Sequence, residues 1–323
     1  SGGCGGAKRI MIGIKPNEEL LERLPRVRGK LHANVPLARY TWFRVGGPAE
    51  VLFTPADCDD LVNFLQHCPK DVPLTVIGLC SNTLVRDGGI PGVVVRLVHG
   101  LGGIKVQGEE VCVGAGALNF KVSRTVAAAG LGGLEFLGGI PGSMGGAVRM
   151  NAGAYGQDVA SKLVSAVVVN RRGCSREQTV DELGFGYRAS DLADDDIVVE
   201  VRLRGYRDTS ASVSERMAQL EKTRSASQPV RERTGGSTFI NSPEHPAWSL
   251  IEVAGCRGLR RGGAVVSDKH CNFLVNTGNA TAADLEGLGE EVRQRVFEAT
   301  GVELVWEIRR VGFHDSPLSG AEL

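Results

Sequence analysis

Residues 134–156 read LEFLGGIPGSMGGAVRMNAGAYG, and seven of the last nineteen are glycine: Gly138, Gly139, Gly142, Gly145, Gly146, Gly153 and Gly156. Glycine at that density marks backbone in left-handed conformations, or backbone that approaches something a Cβ would obstruct, and phosphate groups are the usual ligand. A flexible linker is the competing reading. Ile140, Pro141, Met144, Val148, Met150 and Tyr155 are interleaved, however, and Gly/Ser linkers lack that apolar content. An ordered, ligand-facing loop is therefore expected.

A second stretch with the same chemistry is Gly78-Leu79-Cys80-Ser81-Asn82-Thr83-Leu84. A strand ending in glycine and followed by small hydroxyls offers free N–H groups that suit a pyrophosphate, although Ser and Asn are also ordinary turn formers. Gly114-Ala115-Gly116 nearly matches the dinucleotide fingerprint G-x-G-x-x-G, but Asn119 stands in the third glycine's place. A side chain there is expected to obstruct close helix–strand packing, and without a surrounding βαβ repeat a Rossmann reading is poor. Elsewhere, Arg188 beside Asp191 reads as a surface cation, Ser237 as a turn residue after two glycines, and Glu307 as the outward member of a strand. Taken singly, none of these three signals a role.

Composition narrows the classes. In 323 residues, 37 Lys and Arg balance 37 Asp and Glu, so no nucleic-acid footprint is present. The 42% hydrophobic and 23% charged content is globular, and the length points to two or three domains. Eight cysteines without a C-x-x-C pair read as reduced thiols of a cytoplasmic protein, and the six histidines show no metal-ligand spacing. No apolar run reaches about 18 residues, so no membrane span is expected. The Gly-rich opening Ser1–Gly6 lacks the apolar core of a signal peptide.

The elements that must position these residues follow from periodicity. A short helix is expected at 17–24, a strand at 49–54, a helix at 57–68 capped by Asp57, and strands at 74–78 and 92–97. A strand at 111–113 precedes a helix at 117–129 closed by Gly130. Strands at 163–170 and 197–206 lead to a polar helix at 211–224. A short helix near Leu250 and a strand at 272–276 come before a long helix capped by Thr281 with Asp284 and stopped by Gly301. A strand at 303–311 closes the chain. Residues 1–30 form a tail, 31–207 a first region divided near residue 100, and 208–323 a last domain.

The chain resembles the UDP-N-acetylenolpyruvoylglucosamine reductase (MurB) family. The resemblance covers residues 34–312 and rests on Thr41-Trp42-Phe43-Arg44-Val45-Gly46-Gly47, Ser81-Asn82 and Val85-Arg86-Asp87-Gly88-Gly89. It continues in residues 138–142, Met150-Asn151-Ala152-Gly153-Ala154-Tyr155-Gly156 and Tyr187-Arg188-Ala189-Ser190. Gly236-Ser237-Thr238-Phe239 and Leu304-Val305-Trp306-Glu307-Ile308-Arg309 complete it. It implies an α+β protein: a two-subdomain FAD-binding region of the vanillyl-alcohol-oxidase (PCMH) type at 31–207, then an α/β substrate-binding domain at 208–323. It further implies bound FAD, NADPH as hydride donor, and UDP-N-acetylglucosamine enolpyruvate as the substrate reduced for peptidoglycan synthesis, hence for cell shape and division. A cytoplasmic monomer is expected.

By the same resemblance Ser237 delivers a proton while Arg188 and Glu307 stabilise the enol that develops at the substrate carboxylate. The cofactor would be held by Gly78, Ser81, Asn82, Thr83, Gly114, Gly116, Pro141, Gly142, Ser143, Gly146 and Gly153. Tyr155, Tyr187, Arg224 and Asn241 are the candidate substrate contacts, tyrosine and arginine suiting a nucleotide diphosphate. The chain resembles the branch without a tyrosine-bearing lid. Two departures stand out. Cys80 occupies a position usually held by glycine, where a Cβ is expected to weaken FAD binding if φ is positive. Ile240-Asn241-Ser242 replaces Lys-Asn-Pro, which removes a phosphate cation. Another FAD oxidoreductase of the same fold, or a non-catalytic nucleotide-sugar binding protein, are the alternative readings.

Overall fold

The computed structural model describes residues 18–242 and 244–314; the opening Ser1–Gly6 and Asn17 lie outside them. Helix α1 (Glu18–Arg23) leads into β1 (Lys30–Pro36), β2 (Pro48–Thr54) and α2 (Cys58–His67). Then follow β3 (Leu74–Ile77), the short β4 (Thr83–Val85) and β5 (Ile90–Arg96). The first sheet has the order β1-β2-β5-β3, with β1 antiparallel and the rest parallel. Its central strands read as continuous apolar runs because both faces are covered. Val51, Phe53, Val93 and Val95 enter one core, while Leu52, Val94 and Ile77 enter another. Asp57 caps α2 by accepting the Asp60 amide, and the helix lays Phe64 on Phe53 with ring centroids 4.3 Å apart.

The second sheet begins with β6 (Ile104–Gln107) and β7 (Glu110–Gly114). It is antiparallel, in the order Ser175–Thr179, Leu163–Val169, Ile197–Arg204, β7, β6. Helices α3 (Asn119–Ala128) and α4 (Met144–Arg149) pack on it, and the core that holds Phe53 and Phe64 continues into Val111, Val113, Val201 and Leu203.

Helix α5 (Ser210–Ser227) is polar along its length and buries only Val213 among its residues. Beyond it an antiparallel sheet has the order Arg233–Ser237, Phe273–Asn276, Ala264–Val266, Arg260–Arg261. Helices α6 (Ala247–Val253) and α7 (Ala282–Thr300) back it. The α7 stripe Leu285, Leu288, Val292 and Val296 is buried, with the capping box at Thr281 and Asp284 and a left-handed Gly301 at its end.

The closing strand expected at 303–311 shrinks to Arg309–Val311, which pairs in parallel with β4 of the first region. Residues 305–307 make only an isolated antiparallel bridge, Trp306 opposite Phe239, and residue 304 is held elsewhere. The Leu304 carbonyl accepts from Arg293 Nε (2.8 Å), the Val305 carbonyl from the Ile240 amide (2.9 Å), and the Glu307 amide donates to Thr238 (2.9 Å). The apolar run is real, but its backbone groups are spent on different partners.

Arg86 and Asp87, just after β4, lock α7 to the first region. The Asp87 carboxylate accepts the Ala282 and Ala283 amides (2.9 Å each), compensating the helix N-terminus. Arg86 makes two hydrogen bonds to the buried Glu286 carboxylate (3.0 and 2.9 Å), which Arg310 also reaches (3.2 Å). Burial pushes the Glu286 carboxyl up, but Arg86, His314 and Arg310 outweigh it and leave the pKa below the ordinary value. A depressed carboxylate contributes stability above its unfolded pKa and loses it as the pH falls through the folded one. Arg86→Ala should therefore cost about 2–4 kcal/mol near neutral pH, since a buried carboxylate loses its main partner. In urea unfolding across a pH series, the gap between wild type and variant should narrow on acidification.

Candidate active site

The two stretches picked out for phosphate chemistry meet. Ser81 Oγ donates to the Pro141 carbonyl (3.0 Å). Gly142 has φ +125°, and a Cβ there would stand 2.9 Å from Ser81 Oγ; a Cβ at Gly78 would collide with Ser143 Oγ. The amides of Ser81, Asn82, Gly142, Ser143 and Gly146 find no acceptor among the described residues, and the Cα of Gly146 faces open space.

Asn119 is the residue that sequence reading misjudged. Far from obstructing packing, it is buried at the start of α3 and ties that helix to the glycine loop. Its amide N–H donates to Gly142 O (3.0 Å) and its Nδ2 to Ile140 O (3.2 Å), while its buried Oδ1 has no partner. Gly114 and Gly116, expected at the cofactor, sit behind this layer. Their amides donate to Gly103 (2.8 Å) and Leu101 (2.9 Å), and a Cβ on either would strike the 97–102 backbone. Between them, Ala115 O accepts the Gly145 amide (2.8 Å), so this turn backs the loop.

Arg188 and Glu307 come together from opposite ends of the fold, with Nε 3.3 Å from Oε1. Arg188 also donates to the carbonyls of Gly153 (2.9 Å) and Asn151 (3.4 Å). Gly153, another residue expected at the cofactor, lies beneath this guanidinium: a Cβ there would be 2.8 Å from Nη1. The Asn151 side chain holds the Arg188 turn by donating to Gly186 O (3.0 Å). Ser237 ends its strand opposite Phe273, one residue before the Thr238 carbonyl that receives the Glu307 amide. The Ser237 hydroxyl has no hydrogen-bond partner among the described residues. Thr83 opens β4 beside Arg309. Cys80 (φ +50°), Asn151 (+42°), Tyr155 (+56°) and Arg188 (+54°) all take left-handed backbone. Such strain concentrates where function over-determines the chain, and no residue-type signal announces it.

Burial pushes the Glu307 carboxyl above the ordinary glutamate value even though Arg188 pulls the other way. The candidate substrate contacts are placed unevenly. Tyr187 is 58% exposed with the Arg188 guanidinium 5.0 Å above its ring. Tyr155 lies on Gly139 and donates to Leu220 O of α5 (3.1 Å), near Arg224, whose Nε donates to Gln228 (3.2 Å). Asn241 Oδ1 is engaged by the Ala247 amide at the start of α6 (2.9 Å). Cys80 does have positive φ, but its side chain turns into the core of Leu37, Leu52, Ile77 and Val94.

Comparison with known proteins adds the relationship. Residues 49–176 match an FAD binding domain model, and residues 228–311 match the model of the UDP-N-acetylenolpyruvoylglucosamine reductase C-terminal domain. The UDP-N-acetylenolpyruvoylglucosamine reductase of Rhodospirillum rubrum is 53% identical over 97% of this chain and 99% of its own. The chain belongs to the UDP-N-acetylenolpyruvoylglucosamine reductase family. The Parvibaculum lavamentivorans member is also 53% identical, over 94% of this chain and 97% of its own. The crystal structure of the Thermus caldophilus reductase superposes with a TM-score of 0.76 at 36% identity, covering 89% of this chain and all of that one. The α+β fold with its FAD-binding region is thus that of the family. No helix among the described residues is long and apolar enough to cross a membrane.

Gly142 carries the most demanding backbone of the loop. Gly142→Ala should destabilise the fold by about 1–3 kcal/mol through its φ alone. The purified variant should also retain less flavin per chain, read from the ratio of visible to ultraviolet absorbance.

Proposed function

We propose that the protein reduces the enolpyruvyl group of UDP-N-acetylglucosamine enolpyruvate to give UDP-N-acetylmuramate, with FAD as bound cofactor and NADPH as reductant. The contact of Arg188 with a largely buried Glu307, beside an unengaged Ser237, carries this reading. Residues 31–207 hold the cofactor and residues 208–323 cover the substrate, in a cytoplasmic monomer that supplies cell-wall precursor for growth and division.

The residues present fit FAD. The unspent amides of Ser81, Asn82, Gly142, Ser143 and Gly146 suit a pyrophosphate. The orphaned Asn119 Oδ1 suits a hydroxyl donor of the dinucleotide. When bound, FAD supplies the hydride that reaches the terminal enolpyruvyl carbon. Cys80 does not oppose this fit, because its Cβ and thiol point into a core.

As hydride arrives, negative charge develops on the carbon next to the substrate carboxylate and spreads into it. Fixed donors placed where charge develops lower that barrier most. Arg188 is oriented for this by the Gly153 and Asn151 carbonyls. Glu307 contributes as a neutral acid that donates a hydrogen bond, and its raised pKa favours that form. Ser237 Oγ gives its proton to the carbanionic carbon, a transfer a weak acid can make because the acceptor is strongly basic. Tyr187 and Arg224 are assigned to the nucleotide diphosphate, which suits a phenol ring and a guanidinium, while Asn241 also supports α6.

Ser237→Ala should leave flavin reduction by NADPH unchanged and slow flavin reoxidation by the enolpyruvyl substrate about 10²–10⁴-fold. Stopped-flow absorbance separates the two half-reactions. An equal loss in both would remove Ser237 from the proton-transfer step.

A further inference from the structure

Asn82 sits in the cofactor turn, yet its side chain is turned away from the unspent amides. Nδ2 donates to the Glu307 carbonyl (3.2 Å) and to Met150 Sδ (3.0 Å), and the Asn82 carbonyl accepts the Arg309 amide (3.1 Å). The Glu307 amide, in turn, donates to Thr238 O (2.9 Å), one residue from Ser237. With the Ile308 amide also donating to Thr238 O (3.4 Å), residues 307–309 are held at four backbone points, and Asn82 provides two of them from more than 200 residues away. Beyond the Trp306–Phe239 bridge, residues 304–308 run in no continuous ladder, so these contacts seat the backbone from which the Glu307 carboxyl reaches Arg188.

We infer that Asn82 is a positioning residue for Glu307, its side-chain amide fixing the carboxyl in the buried place where it faces Arg188. This inference rests on the role proposed above for Glu307. The alternative is that the Asn82 side chain serves the cofactor alone, as its place beside Ser81 first indicates. Geometry favours the first, since both donor contacts of Nδ2 are made within the protein. Among the described residues, Arg188 is the charged group that faces Glu307, reaching it from the 186–191 turn. Burial holds the carboxyl in its neutral form and Arg188 opposes this, so the balance depends on how deeply the segment is seated. Released from Asn82, the carboxyl gains water, its charged form is favoured, and its pKa falls. If the neutral acid is the working form, activity is lost as pH rises through that pKa, so the loss moves to lower pH.

Asn82→Leu is the decisive variant: it keeps the approximate size of asparagine, has no donor, and adds no charge beside Glu307 or the cofactor turn. Difference infrared spectroscopy of the holoenzyme, with Glu307→Gln as the assignment control, reads the Glu307 carboxyl titration directly. In the variant that titration should move to lower pH. The alkaline limb of flavin reoxidation by the enolpyruvyl substrate should move with it, and on its alkaline side the rate should fall about tenfold, the equivalent of one to two hydrogen bonds. The backbone amide of residue 82 is retained, so the Kd for FAD, measured by fluorescence quenching on the deflavinated protein, should rise by no more than about tenfold, the loss of one hydrogen bond. An unmoved Glu307 titration, or a large loss of FAD affinity with the titration unchanged, would overturn the inference and return Asn82 to the cofactor. The proposed role of Glu307 fails separately, if Glu307→Gln reoxidises its flavin at the wild-type rate.

Discussion

Residues 78–83 are gripped by every part of the molecule, and the arrangement of the site depends on that grip. Ser81 bonds the glycine loop at Pro141, Cys80 is buried in the core beneath the first sheet, and Asn82 holds residues 307 and 309. No one of these contacts is strong, each being worth about 1 kcal/mol. Together they confine a short turn from three directions. Because packed interiors are bistable rather than continuously deformable, a turn held this way keeps its conformation or loses it altogether. The left-handed backbone of Cys80 persists under that constraint, and its cost is offset by a thiol that fills core volume.

The molecule is joined twice by the same short chain segment. Arg86 and Asp87, three to four residues past Thr83, fasten α7 by an ion pair and a helix cap. Strand β4 between them receives the last strand of the described chain. Glu307 is thus delivered to Arg188 by a segment anchored to residues 82–85 of the first region, although it follows α7 of the last. The catalytic arrangement proposed here spans the junction. Residues 82–87 thus link the glycine loop's partner turn to α7 and to Glu307.

Local rules served well where one side-chain pattern met one environment. The stripe of Leu285, Leu288, Val292 and Val296 with Thr281 and Asp284 ahead of it gave α7 to within a residue, because cap and periodicity agree. The glycine stretch was legible as an ordered loop because its apolar residues argued against a linker, and Met144 and Val148 are buried in the core. Legibility failed where a backbone group found a distant partner. Residues 304–308 read as strand by composition but are cross-linked to Arg293, Ile240 and Thr238. β1 went unread although Lys30, His32 and Asn34 alternate with the half-buried Leu31, Ala33 and Val35, in an edge strand with no fully buried residue. Asn119 looked like a defect in a fingerprint, when its side chain is the tether for a different loop.

By itself the sequence determined the family, because motif order along a chain survives without coordinates, and it nominated Arg188, Ser237 and Glu307 as a set. It also determined that Cys80 and Ile240 depart from the pattern. The tertiary structure alone decided that Gly114 and Gly116 back the loop, that Gly153 makes room for Arg188, and that the Cys80 side chain points into a core. It alone decided that Asn82 reaches Glu307. The physical reason is common to all of these. A residue's type limits which bonds it can make, but which of them it makes depends on the atoms that folding places within about 3 Å of it, and those come from remote parts of the chain.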